Sequence, residues 1–479
     1  MANQGAVKRR CARRGWLLSL ACLLGGLATS GCGEHVGLTG GLYSLEGVTV
    51  TELPSRVPGT RYYALEFEQP VDHAQPDGPT FKQRVSLLHR DATAPMIVYT
   101  GGYMERIFDR QVELTALLDA NQISIEHRFF GTSRPARINW TKLRIRQMAD
   151  DQHAIIAKLQ TIYGGAFVTT GVSKGGMTAT YHRRFYPDDV DGTVAYVAPL
   201  SLDQGDGRYA EYLQQVGSPA CRAAVEDISV EMLSRRWFAL LRKATQQQKE
   251  QDLHYYGVGV GRALESAIFS VRWSFWQYYG DDYCESVPGT GAPDGEVWAF
   301  LDAVSPVSGN TSEREAAFAP YVYQAYAQLG FPVEGAQYLH PFSRDHGDDY
   351  TETVFFREPE LDREAMPDIA EFVRARGNRL LFLYGEWDPW TAGRYELGDA
   401  TESALLTQRA GTHRTQLMTL EPGDRALAFS AIEAWTGVRP EPSRLQRSGG
   451  PRSRAELVEL EDLEARVPAT VLRELQLLE

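Results

Sequence analysis

The chain has 479 residues, 43% of them hydrophobic, which is enough for one large elaborated domain or two smaller ones. Its formal net charge of −13 makes it a poor candidate for binding nucleic acid or anionic lipid. The sequence has no C-x-x-C motif, no H-E-x-x-H motif and no clustered His/Cys set. We therefore expect neither a metal nor a cofactor.

The N-terminus has the features of an export signal. A basic segment at residues 8–14 precedes a short apolar stretch at residues 16–27, and small residues then lead into Cys32. This order is typical of a bacterial lipoprotein signal. We predict a signal over residues 1–31, a lipid anchor at Cys32 and a location in the bacterial cell envelope. The alternative is ordinary cleavage nearby and a soluble secreted product.

The first predicted strands differ in pattern. Residues 62–67 and 84–89 alternate between apolar and polar side chains, which is typical of half-buried antiparallel strands. Residues 96–100 are almost continuously apolar, which favours a strand buried inside a parallel sheet. That strand runs into a Gly-Gly-Tyr turn at 101–103. Residues 122–128 form the next predicted strand.

The most informative stretch follows at residues 166–186. A short apolar strand leads into the sequence Gly-Val-Ser-Lys-Gly at 171–175, and a helical pattern continues from there. A G-x-S-x-G between a strand and a helix presents its serine on a sharp turn above the sheet. Glycine on both sides avoids a Cβ that would crowd the neighbouring elements. We predict that Ser173 is a nucleophile; a glycine-rich structural turn is the alternative.

In the α/β-hydrolase arrangement, oxyanion donors come from the residue after the nucleophile and from the loop after an earlier strand. We assign them to the backbone N–H groups of Lys174 and Tyr103, with Gly102 as the competing loop donor. His127 precedes the serine, whereas the triad of this fold runs serine, acid, histidine. His127 and Arg128 are therefore predicted to be structural and to pair with acidic groups beneath the site.

From residue 202 to residue 355 the chain is helical, polar and rich in aromatic residues. We predict a helical lid over 202–355, inserted into an α/β core formed by 32–201 and 356–439. The aromatic cluster at 271–279 indicates either helix packing or a pocket wall.

Both cysteines of the predicted lid are candidates for a disulfide. Cys11 and Cys22 leave with the signal and Cys32 would carry the lipid, so Cys221 and Cys284 remain. Two cysteines in an exported protein predict one bridge.

The sheet resumes at residues 378–384 and ends in Gly-Glu-Trp-Asp-Pro. A carboxylate just past a buried parallel strand is the expected triad acid, and Asp388 is preferred over Glu386 because it lies in the turn before a proline. His413 follows the next predicted strand and is the histidine that chain order permits. The tail at 440–479 is polar and is predicted to be mobile.

These residues belong to motifs that occur in a fixed order along the chain: QPVDH at 69–73, YTGGY at 99–103, EHRFF at 126–130, GVSKGGMT at 171–178, RFYP at 184–187, FWQY at 275–278 and YGEWDPW at 384–390. The set resembles the secreted tripeptidyl aminopeptidases of serine peptidase family thirty-seven, which are similar to prolyl carboxypeptidase and dipeptidyl peptidase II. The resemblance covers residues 62–437. It implies a Ser173–Asp388–His413 triad, in agreement with the residues themselves. One departure is Arg414, where such proteins often carry glycine.

The resemblance implies an exported serine exopeptidase whose partners are peptide substrates. We expect it to release tripeptides from free N-termini and to favour proline or a small apolar residue before the cut. An esterase or lipase, or a carboxypeptidase, would use the same triad.

An aminopeptidase of this kind needs a carboxylate to meet the substrate ammonium, because a buried unpaired cation is costly. The candidates are Glu105, Glu113, Glu126, Asp281 and Asp282. Glu113 and Glu126 are the first choices. Trp276 and Trp390 are predicted to wall the pocket for the residue before the cut.

Overall fold

The computed structural model describes residues 40–105, 109–256, 259–344 and 355–445. The predicted signal, the predicted lipidation site at Cys32 and most of the predicted tail lie outside these ranges. None of the helices within them is long and apolar enough to cross a bilayer.

The structure contains the strands that the sequence analysis predicts, together with others that it does not predict. In chain order the strands are β1 (Val48–Leu53), β2 (Arg61–Pro70), β3 (Thr80–His89), β4 (Met96–Thr100), β5 (Asn121–Ile125), β6 (Phe167–Val172), β7 (Gly192–Tyr196), β8 (Gln204–Asp206), β9 (Phe331–Pro332), β10 (Leu380–Gly385) and β11 (Ala404–Gln408). They include β1, β8 and β9, which the sequence analysis does not predict. Nine of them form one sheet in the order β1-β2-β3-β5-β4-β6-β7-β10-β11, and β8 and β9 pair separately. The strands from β1 to β3 pair antiparallel, and β3 also pairs antiparallel with β5. Every pair from β5 to β11 is parallel.

Helices cover both faces of the parallel part of the sheet. The helices of the described core are α1 (Glu113–Leu118), α2 (Ile145–Gln160), α3 (Lys174–Phe185), α11 (Ala365–Arg376) and α12 (Pro422–Thr436). In β4, Val98 packs with Ile155 of α2, whereas its neighbour Ile97 packs with Leu117 of α1 and Ile432 of α12. Successive strand residues point to opposite faces, so burial on both faces explains the continuous apolar run. This is the α/β-hydrolase fold that the sequence predicts.

The described residues between β7 and α11 form a mostly helical insertion, which we call the lid. Its helices are α4 (Arg208–Leu213), α5 (Pro219–Ser234), α6 (Trp237–Gln251), α7 (Gly259–Phe269), α8 (Val271–Tyr278), α9 (Asp294–Val304) and α10 (Ser312–Gln324). The lid has its own hydrophobic core, in which Ile228, Leu264 and Phe275 are fully buried. A disulfide between Cys221 and Cys284 joins α5 to the segment after α8. The lid is therefore a packed unit rather than a loose loop.

Candidate active site

Ser173 lies on a strained turn between β6 and α3. Its φ of 56° and ψ of −124° fall where non-glycine residues rarely occur. Its N–H donates to the carbonyl of Tyr196 at 2.8 Å. A Cβ at Gly171 would lie 2.3 Å from the backbone of Gly175, and one at Gly175 would lie 2.0 Å from the carbonyl oxygen of Thr100. The two glycines therefore permit the close packing that holds the serine in this conformation.

Asp388 and His413 are in direct contact. Nδ1 of His413 lies 2.7 Å from Oδ2 of Asp388, and both side chains are buried. The other carboxylate oxygen of Asp388 accepts the N–H of Trp390 at 3.1 Å and so caps the short helix Pro389–Gly393. The backbone N–H of His413 donates to the carbonyl of Gln277 in the lid at 2.8 Å. The histidine is therefore oriented by the core and by the lid together.

Glu386, the competing acid, does not reach His413. Its carboxylate accepts the N–H of Ala410 at 2.7 Å on the exposed side of the loop. A Cβ at Gly385, the last residue of β10, would lie 2.5 Å from the carbonyl oxygen of Thr412. The two loops therefore pack closely, and Asp388 is the carboxylate that this packing brings to the histidine.

The strand order brings the three residues to one edge of the sheet. Ser173 follows β6, Asp388 follows β10 and His413 follows β11, and these strands run parallel. Carboxyl ends of parallel strands share an edge, where ligands of open α/β sheets bind. Among the described residues the structure records no hydrogen bond from Oγ of Ser173. Hydrogen bonds of this kind often tighten only in the substrate complex.

The loop after β4 lies against the N-terminus of α3. Gly102 has a φ of +78°, and a Cβ there would be 2.8 Å from the carbonyl carbon of Lys174. Lys174 is the first residue of α3, so its N–H has no acceptor within the helix. The predicted oxyanion donors, Lys174 with Tyr103 or Gly102, are thus on adjoining segments. Their role as donors stays a prediction.

The side chain of Lys174 contributes a contact that the sequence analysis missed. Its Nζ donates to the carbonyl oxygen of Gly102 at 2.6 Å and lies 5.3 Å from the ring centroids of both Tyr103 and Phe130. Burial lowers the pKa of Lys174 well below its usual value. The amine therefore joins the loop at residues 101–105, which we call the oxyanion loop after its predicted role, to the helix that follows Ser173. A lysine directly after the serine is the sequence signal that could have indicated this contact.

His127 and Arg128 are both buried beneath this loop. Arg128 makes two hydrogen bonds of 2.6 Å to the carboxylate of Asp151, as the sequence predicts for an internal ion pair. Nδ1 of His127 instead lies 2.9 Å from the carbonyl oxygen of Arg128, so the predicted acidic partner of this histidine is wrong. Burial lowers the pKa of His127, and the neighbouring charge of Lys174 lowers it further.

The two carboxylates first chosen for the substrate ammonium are already occupied, and we correct that prediction. Glu126 is fully buried and accepts the N–H groups of Glu105, Thr132 and Ser133 at 2.9–3.0 Å. Glu113 accepts N–H groups of the segment after His413, from Leu417 at 2.9 Å and Met418 at 3.0 Å, and the hydroxyl of Tyr196. Burial raises the pKa of Glu113. Both residues anchor the protein's own backbone.

Of the other candidate carboxylates, Asp281 and Glu105 also have partners within the chain, whereas Asp282 stays a prediction. Asp281 accepts the N–H and the hydroxyl of Ser218 at 3.1 and 2.7 Å. Glu105 accepts the hydroxyl of Ser86 at 3.1 Å. Asp282 is exposed to solvent.

The two tryptophans predicted to wall the substrate pocket lie in different environments. Trp276 is 0% exposed within the core of the lid, where a Cβ at Gly217 would lie 2.1 Å from its indole, so its prediction as a pocket wall is wrong. Trp390 is partly exposed, with its ring centroid 6.5 Å from that of His413. It contacts Trp273 edge-on at 4.9 Å. A helical period places adjacent aromatic residues on different faces, which the sequence alone did not resolve for Trp276.

The departure at residue 414 is accommodated at the surface of the same loop. The guanidinium of Arg414 lies 5.5 Å from the ring centroid of Tyr278, which in turn contacts His413 edge-on at 6.0 Å. The arginine therefore packs outward on the lid and leaves the His413–Asp388 contact intact.

Comparison with known proteins agrees with this geometry. Residues 33–465 match the family model of the PS-10 peptidase S37 family. The chain is 38% identical over 390 residues to the prolyl tri/tetrapeptidyl aminopeptidase of Streptomyces mobaraensis, covering 80% of this chain and 82% of that protein. It is 29% identical to prolyl carboxy peptidase like protein 5 of Caenorhabditis elegans over 432 residues, covering 72% and 84%.

Among solved structures, the proline iminopeptidase of Mycobacterium smegmatis aligns with 84% of this chain and 99% of its own, at 12% identity and a TM-score of 0.30. At that TM-score the likeness adds nothing to the assignment of the fold, which rests on the sheet order and the strained serine turn. The family match covers most of the chain and includes all three predicted triad residues. The chain therefore belongs to the PS-10 peptidase S37 family of serine peptidases.

Proposed function

We propose that this protein is an exported serine exopeptidase that releases tripeptides from free N-termini and favours proline or a small apolar residue before the cut. The observation that carries the proposal is the 2.7 Å contact between His413 and Asp388 at the sheet edge where the strained Ser173 lies. The family membership and the Streptomyces relative support a peptidase that works from the N-terminus.

The chemistry follows from the residues at this edge. Asp388 holds His413 in the tautomer whose Nε2 accepts the proton of Ser173, and Ser173 Oγ then attacks the scissile carbonyl. The resulting oxyanion accepts the N–H groups of Lys174 and Tyr103. His413 passes its proton to the leaving amine, which departs and leaves an acyl-enzyme. Water then attacks the acyl-enzyme with His413 as the base and frees the peptide.

The surroundings of His413 support the preference for proline. Trp390 and Tyr278 both present rings to the histidine, at 6.5 and 6.0 Å between centroids. Trp273 and Tyr209 brace Trp390 edge-on. A rigid aromatic wall suits a flat pyrrolidine ring, because neither surface loses much conformational freedom on contact.

The lid borders the site on two sides and supports an exopeptidase. Helix α8 binds the backbone of His413 through Gln277, and α10 contacts the Tyr103 ring through Phe318 at 5.3 Å and Tyr321 at 5.8 Å. An extended chain end can pass such a border, whereas a folded protein cannot present a loop to the serine. The substrates are therefore peptides with accessible ends.

The test is digestion of a mixed peptide library with the purified protein, followed by mass spectrometry of the products. Tripeptides from free N-termini, labelling of Ser173 by a fluorophosphonate, and loss of both in Ser173→Ala are the expected results. Cleavage of esters alone would favour the esterase or lipase alternative, and a requirement for a free C-terminus would favour a carboxypeptidase. Labelling at another serine would contradict the proposed nucleophile.

Export and lipid attachment are part of the proposal and rest on the sequence of residues 1–32. Cells that express the full chain and are labelled with palmitate should incorporate label into the protein, and Cys32→Ala should abolish it. Equal labelling of both forms, or an unprocessed protein in the cytoplasm, would contradict this part.

A further inference from the structure

One partly buried carboxylate of the lid lacks the partners that Glu113 and Glu126 have. Glu315 lies in the first half of α10, and its Oε1 is buried with no hydrogen-bond partner. No ion pair joins Glu315 to any residue of the described ranges. Glu313, on the same helix, pairs instead with His254 at 2.6 Å. The nearby cation Arg314 stacks on the ring of Phe318 at 5.3 Å.

Such a group is costly to keep. Burial alone raises the pKa of Glu315 to about 8, because its ionised form lacks compensating contacts. Buried polar groups are nearly always hydrogen-bonded, and an exception requires an explanation. A cation supplied from outside the chain would provide one, since it would pair with the carboxylate inside the same apolar surroundings.

Glu315 lies one helical turn from a residue that contacts the loop after β4. Residues three apart on a helix share a face, so Glu315 lies beside Phe318, one turn nearer the N-terminus of α10. The ring of Phe318 contacts Tyr103, the residue whose N–H is a predicted oxyanion donor, at 5.3 Å. The unpartnered carboxylate is thus one helical turn from a side chain that touches the oxyanion loop.

The position of Glu315 is within reach of the N-terminus of a short extended peptide. Glu315 precedes Phe318 by three residues, which is about 4.5 Å along the helix axis, and the ring of Phe318 lies 5.3 Å from that of Tyr103. In an extended tripeptide the ammonium lies roughly 10 Å from the scissile carbonyl, because the chain advances about 3.3–3.6 Å per residue.

We propose that Glu315 receives the α-ammonium of the substrate's N-terminal residue. This inference rests on the proposed function. The ligand class is a primary ammonium at the end of an extended peptide. In the complex the carboxylate is ionised and an N–H of the ammonium donates to it, so the hydrogen bond is charge-assisted.

The first test uses the anilide of a tripeptide whose third residue is proline. It compares the free-amine form of this substrate with the N-acetyl form, in the wild type and in Glu315→Gln. Removing one partner of a partly buried charge pair should lower kcat/KM for the free-amine substrate roughly 100-fold, chiefly through KM. The N-acetyl substrate should change little, so discrimination between the two should largely disappear. Glu315→Asp keeps the charge with a shorter reach and should retain part of the discrimination. Glu313→Gln is the matched control on the same helix and should leave discrimination unchanged.

A second test does not depend on turnover. In Ser173→Ala, calorimetry should detect tighter binding of a free tripeptide than of its N-acetyl form, and Ser173→Ala/Glu315→Gln should bind both alike. Undiminished discrimination in Glu315→Gln, or an equal loss for both substrates, would overturn the assignment of Glu315. If the wild type itself failed to prefer free N-termini, the proposed function would fail first, so the two failures are distinguishable.

Discussion

Glu126 in the core and Glu315 in the lid differ in the number of hydrogen-bond partners that their carboxylates have. Glu126 follows β5 in the core and accepts three backbone N–H groups and the hydroxyl of Ser133. One of those N–H groups belongs to Glu105, at the end of the oxyanion loop. Glu315 lies on α10 in the lid, next to the Phe318 that contacts the same loop, and its buried Oε1 has no partner. The hydrogen-bonding capacity of Glu126 is met by groups of the same chain, whereas that of the Oε1 of Glu315 is not met within the described residues.

The difference separates a scaffold from a binding surface. Three backbone N–H groups and the hydroxyls of Thr132 and Ser133 compensate Glu126 for its burial, so its carboxylate fixes the end of the oxyanion loop. The buried Oε1 of Glu315 has no hydrogen-bond donor within the described residues, and a cationic ligand could supply one. Our proposal therefore assigns the chemistry to the core and the recognition of the peptide end to the lid. The following predictions test this division, from the largest expected effect to the smallest.

The triad tests the core side of the comparison. Asp388→Asn should lower kcat roughly 10⁴-fold, because the amide no longer stabilises the imidazolium or selects the tautomer of His413. Steady-state kinetics on a tripeptidyl substrate measures the effect, and N-terminal discrimination should persist in the residual activity. Glu386→Gln is the matched control, since Glu386 binds the N–H of Ala410 rather than His413. A normal rate for Asp388→Asn beside a crippled Glu386→Gln would reverse the assignment.

The disulfide tests whether the lid is an ordered recognition unit. Replacing Cys221 and Cys284 by serine frees a loop with a sequence separation of 63 residues, and the chain-entropy account predicts a loss of about 4 kcal/mol in the free energy of unfolding. Urea unfolding with and without reductant measures it. We expect discrimination between free and acetylated substrates to weaken before the acylation of Ser173 does. Unchanged unfolding midpoints in the variant would contradict this role.

Glu126 tests the claim that its carboxylate is structural. Glu126→Gln places an amide N–H₂ among donors that need acceptors, and it should lower the free energy of unfolding by about 3 kcal/mol. Denaturant unfolding of the purified variant measures this loss. Kinetic discrimination between free and acetylated substrates should stay as in the wild type. A stable Glu126→Gln that had lost this discrimination would return Glu126 to the list of substrate residues.

Much of the core could be predicted from local pattern. The run at 96–100 coincides with β4, and the alternating segments at 62–67 and 84–89 fall inside β2 and β3. The reason is that a strand buried on one face alternates between apolar and polar residues, whereas a strand buried on both faces is apolar throughout. β1 was missed although its sequence VTVTEL alternates like those of β2 and β3, and it pairs antiparallel with β2 at the edge of the sheet. The Asp388–His413 contact could be predicted because chain order and strand ends leave few choices.

The lid residues could not be predicted in the same way. Trp276 and Trp390 are both tryptophans near the site motifs, and only packing shows that the first is sealed in the lid core and the second lines the histidine. The choice of Glu126 failed because nothing in the sequence shows that backbone N–H groups of residues 105, 132 and 133 converge on it. Glu315 drew no attention, since a single acid on a polar helix has no local signature. What distinguishes these residues is the number of partners, which is a property of tertiary structure.

The smallest expected effect is the pH-dependent change in stability caused by Glu315→Gln, which has the opposite sign to the effect of Glu126→Gln. The pKa of Glu315 is raised from 4.5 to about 8 in the folded protein, so folding favours its protonated form. The wild type should therefore lose stability relative to Glu315→Gln as pH rises from about 4.5 to about 8, with no difference below that window and a constant difference above it. At pH 7 we expect Glu315→Gln to be more stable by roughly 2 kcal/mol, since one pKa unit corresponds to about 1.4 kcal/mol and part of the side chain remains hydrated. Urea unfolding at several pH values measures the difference. A saturating free tripeptide should shrink this gap by stabilising the wild type selectively, whereas its N-acetyl form should not. A Glu315→Gln variant less stable than the wild type at pH 8 would show that Glu315 has an internal partner, and the contrast between the two carboxylates would then be lost.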